Sequence, residues 1–352
     1  MKKENRLSSF LRHIPEATYI FLIVFVVASL AVRNFFTVGN LSTMLLQACT
    51  LTLLSVAMSL CLMMGSIDLS MGGVVSMTGV IMAYMMNAGI HAGPALLTGL
   101  LLGTAFGFVN GVMVTKLHIP PFIATFGSMG IAQSIANTVS AERTISWTTS
   151  DKTRLIDILG SKPFSWQFGE GAANTLSISM LLIITAIAVF IVWFVFRKTV
   201  LGSNIYALGA NEETARLSGI GVTRWRITVY MISGFLAGLG GIVVMIRSNS
   251  VQPTIGANME FQACVAAVLG GNIMEGGKGS VPGAVLGALT LYTIRSAMSL
   301  LGIDTSWVQV AIGVVLVIGM ILNNYATQRE NRRTVLLGRQ KAAVGGGKEA
   351  QA

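Results

Sequence analysis

The sequence predicts an all-α polytopic membrane protein of about ten transmembrane helices, some of them broken, with its N-terminus and C-terminus both on the cytoplasmic side. Three observations lead there. Of 352 residues, 53% are hydrophobic and only 11% charged, whereas a soluble domain carries about 25% charged residues. Mean hydropathy is +0.72, so the polar surface that keeps a chain in water is missing. Apolar runs near the ~20 residues needed to cross a bilayer recur at 17–33, 41–64, 71–90, 94–116, 120–140, 175–197, 226–247, 260–271, 281–300 and 306–324. Finally, the basic residues are sided. With the N-terminus inside, 17 of the 24 Lys and Arg fall on the inner side, and only Arg33, Arg143, Lys152, Arg154, Lys162, Arg247 and Arg295 fall outside. That bias is the one expected of membrane topology, and it accounts for the net charge of +10 without nucleic acid.

Taken in order, residues 1–16 form a basic cytoplasmic head with Lys2, Lys3, Arg6 and Arg12. The RNFFTVGN after the first segment lacks a small-residue cleavage site, so a cleavable signal peptide is not expected. Residues 17–325 form the membrane domain. Its fourth segment carries Gly103, Gly107 and Gly111 at helical spacing, and Gly234 with Gly238 and Gly283 with Gly287 repeat that spacing. Such stripes let helix backbones approach closely. Pro120 and Pro121 suit the first turn of the fifth helix, where a missing N–H costs least. The outer loop 141–174 balances Glu142, Asp151, Asp157 and Glu170 against four basic residues. The eighth segment is too short to span alone and predicts a broken or tilted helix. The tail 326–352, basic and then glycine-rich, reads as a mobile cytoplasmic end.

Cys49, Cys61 and Cys264 sit in apolar stretches without CxxC spacing, and His13, His91 and His118 stand alone near segment ends. No metal site is expected, and no carboxylate, His or Cys cluster has the spacing of an enzyme's catalytic set.

Three polar islands interrupt the apolar pattern. The first is GSIDLSMGG (Gly65 to Gly73), with Asp68 between two uncharged flanks. A lone carboxylate in hydrocarbon costs about 3 kcal/mol by insertion scales. Its glycines, Gly65, Gly72 and Gly73, read as a helix break, tolerated at depth where protein or water covers it. Two roles stay open for the polar residues. Asp68 or Ser70 caps the next helix, or they touch solute at a path or gate together with Asn110, Thr125 and Ser128. Gln133 and Asn137 are further path candidates, and interhelical hydrogen bonding is the plainer reading for these side chains.

The second island, Leu201 to Arg224 in the inner loop 198–225, contains Asn211, Glu212, Glu213, Arg216 and Gly219. Asn as N-cap, two acids in the first turn and a closing glycine describe a short capped helix, either a plain surface helix or a docking element. The third island, LGGNIMEGGKGSVPG, holds Gly276, Gly277, Lys278 and Gly279. It fails as a phosphate-binding loop: Asn272 stands where the first glycine belongs and Gly279 follows the lysine. The first and third islands both end an apolar run with glycine, carry an acid and lead through serine into a new helix, a hint of paired interruptions.

GSIDLSMGG, KLHIPPFIATFGSMG, GANEETARLSGI and LGGNIMEGGKGSVPGAVLGAL, in that order, resemble the signature segments of sugar-type ABC importer permeases, the ribose, xylose, galactose and arabinose class. The resemblance runs from about Tyr19 to Asn324 and departs at Ser66, Met71, Asn272, Met274 and Glu275. It implies a permease domain that works beside a second copy or a paralogue. It also implies a cytoplasmic ATPase with two nucleotide-binding domains and a periplasmic sugar-binding protein. ATP and Mg would sit on the ATPase, with no cofactor on this chain. Asn211 to Gly219 would match the coupling helix of that family. The competing expectation is an ion-coupled secondary transporter acting alone, with Asp68 as coupling carboxylate beside Glu275 or Arg295.

Overall fold

The computed structural model describes residues 16–147, 150–168, 175–304, 306–315, 317, 318 and 321. The expectations for the basic head, Glu170 and the tail 326–352 lie outside these residues. The first half contains α1 (Glu16–Ala31), α2 (Val38–Met63), α3 (Met71–Asn87), α4 (Ala92–Thr115) and α5 (Pro121–Ser140). A strap follows, made of β1 (Ile145–Ser146), α6 (Arg154–Gly160), β2 (Phe164–Gln167) and β3 (Thr175–Ile178). The second half contains α7 (Met180–Lys198), α8 (Val200–Ala210), α9 (Glu212–Leu217), α10 (Val222–Ser248), β4 (Ser250–Val251), α11 (Met259–Leu269) and α12 (Val281–Leu300). Residues Ser306–Val315 add α13.

The protein is mostly helical, and α2, α4, α7, α10 and α12 are long and apolar enough to cross a membrane. Helix α2 is the centre: every residue from Ala48 to Met63 is buried. A helix apolar on all sides belongs inside a bundle. At the periphery, α7 buries only Leu181, Thr185 and Phe196 and exposes Ile187, Phe190, Ile191 and Phe194, the face expected against lipid.

Where the sequence shows glycine stripes, the helices interlock. A Cβ on Gly103 would overlap the Gly234 carbonyl, and one on Gly107 the Tyr230 carbonyl, so α4 and α10 meet backbone to backbone. Gly287 does the same against Ala266, bringing α12 onto α11. Lipid tails are as apolar as leucine, so this close packing supplies the association energy.

The loops sort to two ends. At one end, the strap is tied to the end of α3 by Asn87 Nδ2 to the Ser146 carbonyl (2.9 Å) and Lys152 Nζ to the Gly89 carbonyl (2.8 Å). There β1 pairs antiparallel with β4, and β2 with β3. Two expectations need correction. Residues Thr175–Ile178, read as the start of a spanning segment, are a strand, because pairing with Phe164–Gln167 satisfies backbone groups before Ser179 caps α7. The second island holds two helices rather than one, since Thr199 caps Val200–Ala210 ahead of Asn211.

Candidate functional site

Asp68 lies in the joint between α2 and α3 and is 1% exposed. Its Oδ1 accepts from the Ser70 backbone N–H at 3.0 Å and from Ser70 Oγ at 2.6 Å, and its Oδ2 accepts from Ser233 Oγ at 2.5 Å. Behind Ser70, Asn110 Nδ2 donates to Ser70 Oγ at 2.8 Å, and Ser128 Oγ donates to Asn110 Oδ1 at 2.5 Å. Every donor in the chain Ser128, Asn110, Ser70 points toward the carboxylate, and Ser233 closes it from the other side. Both carboxyl oxygens of Asp68 are thus engaged within the chain. Four parts of the fold meet here: the α2–α3 joint, α4, α5 and α10.

A second brace lies beside it. Tyr230 Oη donates to the Ile67 carbonyl at 3.1 Å, which uses its single proton, so Ser66 Oγ donates to Tyr230 Oη across 2.6 Å. Ser233 and Tyr230 went unremarked in the sequence, although their three-residue spacing puts both on one face of α10. The capping expectation is not met in its full form: Asp68 takes the Ser70 N–H in a turn just before α3, and no side chain bonds the helix's own first amides. Gly72 and Gly73 are not part of the break. They lie in the first regular turn of α3, where a Cβ on Gly72 would overlap Glu260 and one on Gly73 would crowd the Met129 carbonyl. Their role is close packing against α11 and α5. Thr125, fully buried, bonds within its own helix to the Pro121 carbonyl at 2.8 Å.

All three islands converge at the end opposite the strap. The Gly277 N–H donates to the Met63 carbonyl at the end of α2 at 2.9 Å, and Gly276 packs against the backbone of Gly65, so the third island meets the start of the first. Gly209, at the end of α8, packs so closely on the Met63 carbonyl and the Gly277 nitrogen that no side chain fits. Tyr206 Oη donates to the Gly279 carbonyl at 2.9 Å. The turn itself needs glycine: φ is +90° at Gly276 and +76° at Gly277, a region closed to most L-residues. Asn272 shapes the loop by donating to the Ala267 carbonyl (2.7 Å) and accepting from the Ser280 N–H (2.9 Å). Glu275 and Lys278 stay exposed on the loop's surface.

Helix α9 sits on this cluster. Asn211 Oδ1 accepts from the Thr214 N–H at 2.8 Å, the expected N-cap. Gly219 at φ +82° ends the helix, with the Ile220 N–H bonded back to the Ala215 carbonyl at 3.1 Å. Glu212 ties α9 to α10 through Arg226 at 2.7 Å. Glu213 takes a two-pronged contact from Arg216 at 2.7 and 2.8 Å, which holds that guanidinium's pKa above its ordinary value. Only Ala215 is buried, and Leu217 is 79% exposed.

Arg295, a candidate partner for Asp68, instead donates to Gln262 Oε1 at 3.2 Å and lies over the Tyr292 ring. Among the described residues no group of three His, Cys, Asp or Glu side chains is placed to hold a metal.

Residues 40–320 match the family described as the permease component of the branched-chain amino acid transport system. The ribose import permease protein of Escherichia coli K12 is 34% identical over 303 residues, 86% of this chain and 91% of the relative. The ribose import permease protein of Haemophilus influenzae is 32% identical over 313 residues, 89% of this chain and 94% of that one. The D-allose transport system permease protein of E. coli K12 is 30% identical over 304 residues, 86% and 88% of the two chains. No solved structure gives a significant match. A match across 40–320, with long apolar helices and three interlocked polar joints along it, makes this chain a multi-pass membrane member of that permease family.

Proposed function

We propose that the chain is the permease subunit of an ATP-driven importer, carrying a monosaccharide or related small polyol across the bacterial inner membrane by alternating access. The observation that carries the substrate class is the run of near full-length relatives named for ribose and allose. The chain is a transport component and not an enzyme, and its own residues bind no nucleotide. Its partners are a second permease copy or paralogue, a cytoplasmic ATPase with two nucleotide-binding domains that holds ATP and Mg, a periplasmic sugar-binding protein and the lipid bilayer. Ten crossings with both ends inside agree with the sorting of loops: Lys278 and the Arg216 helix lie at the end of the convergent islands, Lys152 at the other.

In this reading α9 is the coupling helix. Glu213, Arg216 and Leu217 face the ATPase, while Asn211, Glu212 and Gly219 hold the helix in shape. Force on α9 passes through Gly209 into the Met63 and Gly277 backbones, so one push reaches both broken-helix joints at once. The Asp68, Ser70, Asn110 and Ser128 chain, with Thr125 beside it, holds the first joint against α4, α5 and α10 as a gate-side brace. Spending all three bonds of Asp68 inside the chain disfavours a free coupling carboxylate. Liposomes containing permease, ATPase and binding protein should take up ribose only with ATP. Uptake driven by an ion gradient without the ATPase would overturn the reading.

A further inference from the structure

The β2–β3 hairpin of the strap has two unlike faces. Its register sets Phe164 opposite Ile178, Ser165 opposite Ser177, Trp166 opposite Leu176 and Gln167 opposite Thr175. Directly opposite residues share a face, and the faces alternate along each strand. One face is therefore Phe164, Ile178, Trp166 and Leu176, and the other is hydroxyls and amide. The Phe164 and Trp166 rings stack on their shared side with centroids 5.9 Å apart. All of β2 is exposed, and Phe168, next in the same alternation, is 70% exposed. Ile145, Trp147 and Leu159 of the strap pack against the hydrophobic core, and the four apolar side chains of the hairpin do not.

The hairpin springs from the end of a lipid-facing helix. Beside β2, the Ser161 carbonyl accepts the Met180 N–H at 3.0 Å, and β3 runs through Ser179 straight into α7. Helix α7 is the one whose Ile187, Phe190, Ile191 and Phe194 are exposed against lipid. Phe164 stands opposite Ile178, two residues before α7 begins. The Ser177 N–H donates to Ser42 Oγ at 3.1 Å, which holds β3 on α2. A lone two-stranded hairpin is marginally stable in water, so its uncovered apolar face needs a partner. Arg154 and Lys162 are exposed nearby, against one acid, Asp157. Rings and long basic side chains at the end of an apolar helix are the composition of the headgroup level.

We propose that this hairpin is an interfacial anchor. Its apolar face lies on the headgroup–acyl boundary of the phospholipid leaflet at the strap end, and its polar face stays in water. Phe164, Trp166 and Phe168 enter that boundary, where a ring meets acyl chain on one side and the indole N–H finds a polar partner on the other. Continuity with α7 selects lipid over a protein partner, because the strand and the lipid-facing helix are one unbroken stretch of chain. The strap also holds the end of α3 through Asn87 and Lys152, so the anchor fixes the depth of that end of the bundle. The proposal needs only a bilayer around α7 and holds whichever solute is carried.

The test places the full chain in phospholipid nanodiscs, with Trp147, Trp193, Trp225 and Trp307 replaced by phenylalanine so that Trp166 alone fluoresces. Lipids brominated near the glycerol end should quench Trp166 about twofold more than lipids brominated near the chain terminus, because interfacial rings sit at headgroup level. Quenching by aqueous iodide without quenching by either bromine would leave the hairpin in water and overturn the proposal. Shielding from iodide and from both bromines would put protein over the face, a second copy in this preparation, and also overturn it. Should the single-tryptophan chain fail to fold, the unmodified transporter with its partners is irradiated in nanodiscs holding a phospholipid with a diazirine near its glycerol end. Adducts within residues 164–168 are then expected, and adducts on other segments with none there refute the anchor.

Discussion

Replacing Asp68 tests whether the buried carboxylate holds the α2–α3 joint. Asp68→Leu removes the acceptor of three bonds at 3.0, 2.6 and 2.5 Å. The Ser70 and Ser233 hydroxyls can turn to carbonyls of their own turns, but the Ser70 N–H has no such freedom. A buried donor left unpaired costs about 1–3 kcal/mol, so a loss of that size is expected. Asp68→Asn keeps an acceptor toward Ser70 and offers Nδ2 to Ser233, whose oxygen can accept; the expected cost is about 1 kcal/mol or less. Reversible unfolding in mixed detergent micelles measures both, alongside co-purification with the ATPase. The expected order is parent, then Asn, then Leu, with transport following stability. If Leu unfolds within about 0.5 kcal/mol of the parent, below the net worth of one buried hydrogen bond, the joint is held by something else. If Asn abolishes transport while remaining as stable as the parent, the charge itself acts in transport and the bracing account fails.

Three further outcomes follow from the same geometry. Gly107→Ala should reduce the folded yield sharply, because its methyl meets the Tyr230 carbonyl, whereas Gly127→Ala, with open space around it, should be near neutral; size-exclusion profiles of the two decide whether backbone contact holds α4 on α10. Replacing Glu213 or Arg216, or Leu217→Ala, should weaken ATPase co-purification and coupled ATP hydrolysis while leaving the unfolding curve in place, and unchanged association in all three would remove the docking assignment. Asn211→Ala should cost about 1 kcal/mol of local helix stability, read as faster hydrogen exchange at the Thr214 amide, and unaltered exchange there would show that the cap does not support α9.

Much of this was legible in the sequence because it is local. Hydropathy marked the runs that became α2, α4, α10 and α12, and the Asn211 to Gly219 stretch carries both of its caps within nine residues. Glycines at fourfold spacing announced the α4–α10 contact, since helical periodicity alone puts them on one face. Proline at the start of α5 needed only the geometry of a first turn.

What the tertiary structure alone decided is who meets whom. Asp68 finds Ser233 across 165 residues of chain, and no local pattern announces a pairing between two helices whose approach is set by packing elsewhere. Gly72 and Gly73 read as a break because glycine has two uses, bending a chain and admitting a neighbour, and only the presence of Glu260 and Met129 selects the second. The polar residues of α5 showed a spanning helix with mixed character, but Ser128 and Ser134 differ only in which side of the helix the rest of the bundle covers. The sequence by itself determined a membrane permease with a short capped loop helix and three glycine-rich joints. The fold decided that the joints share one mechanical cluster, because backbone contacts between distant glycines exist only after the helices have packed.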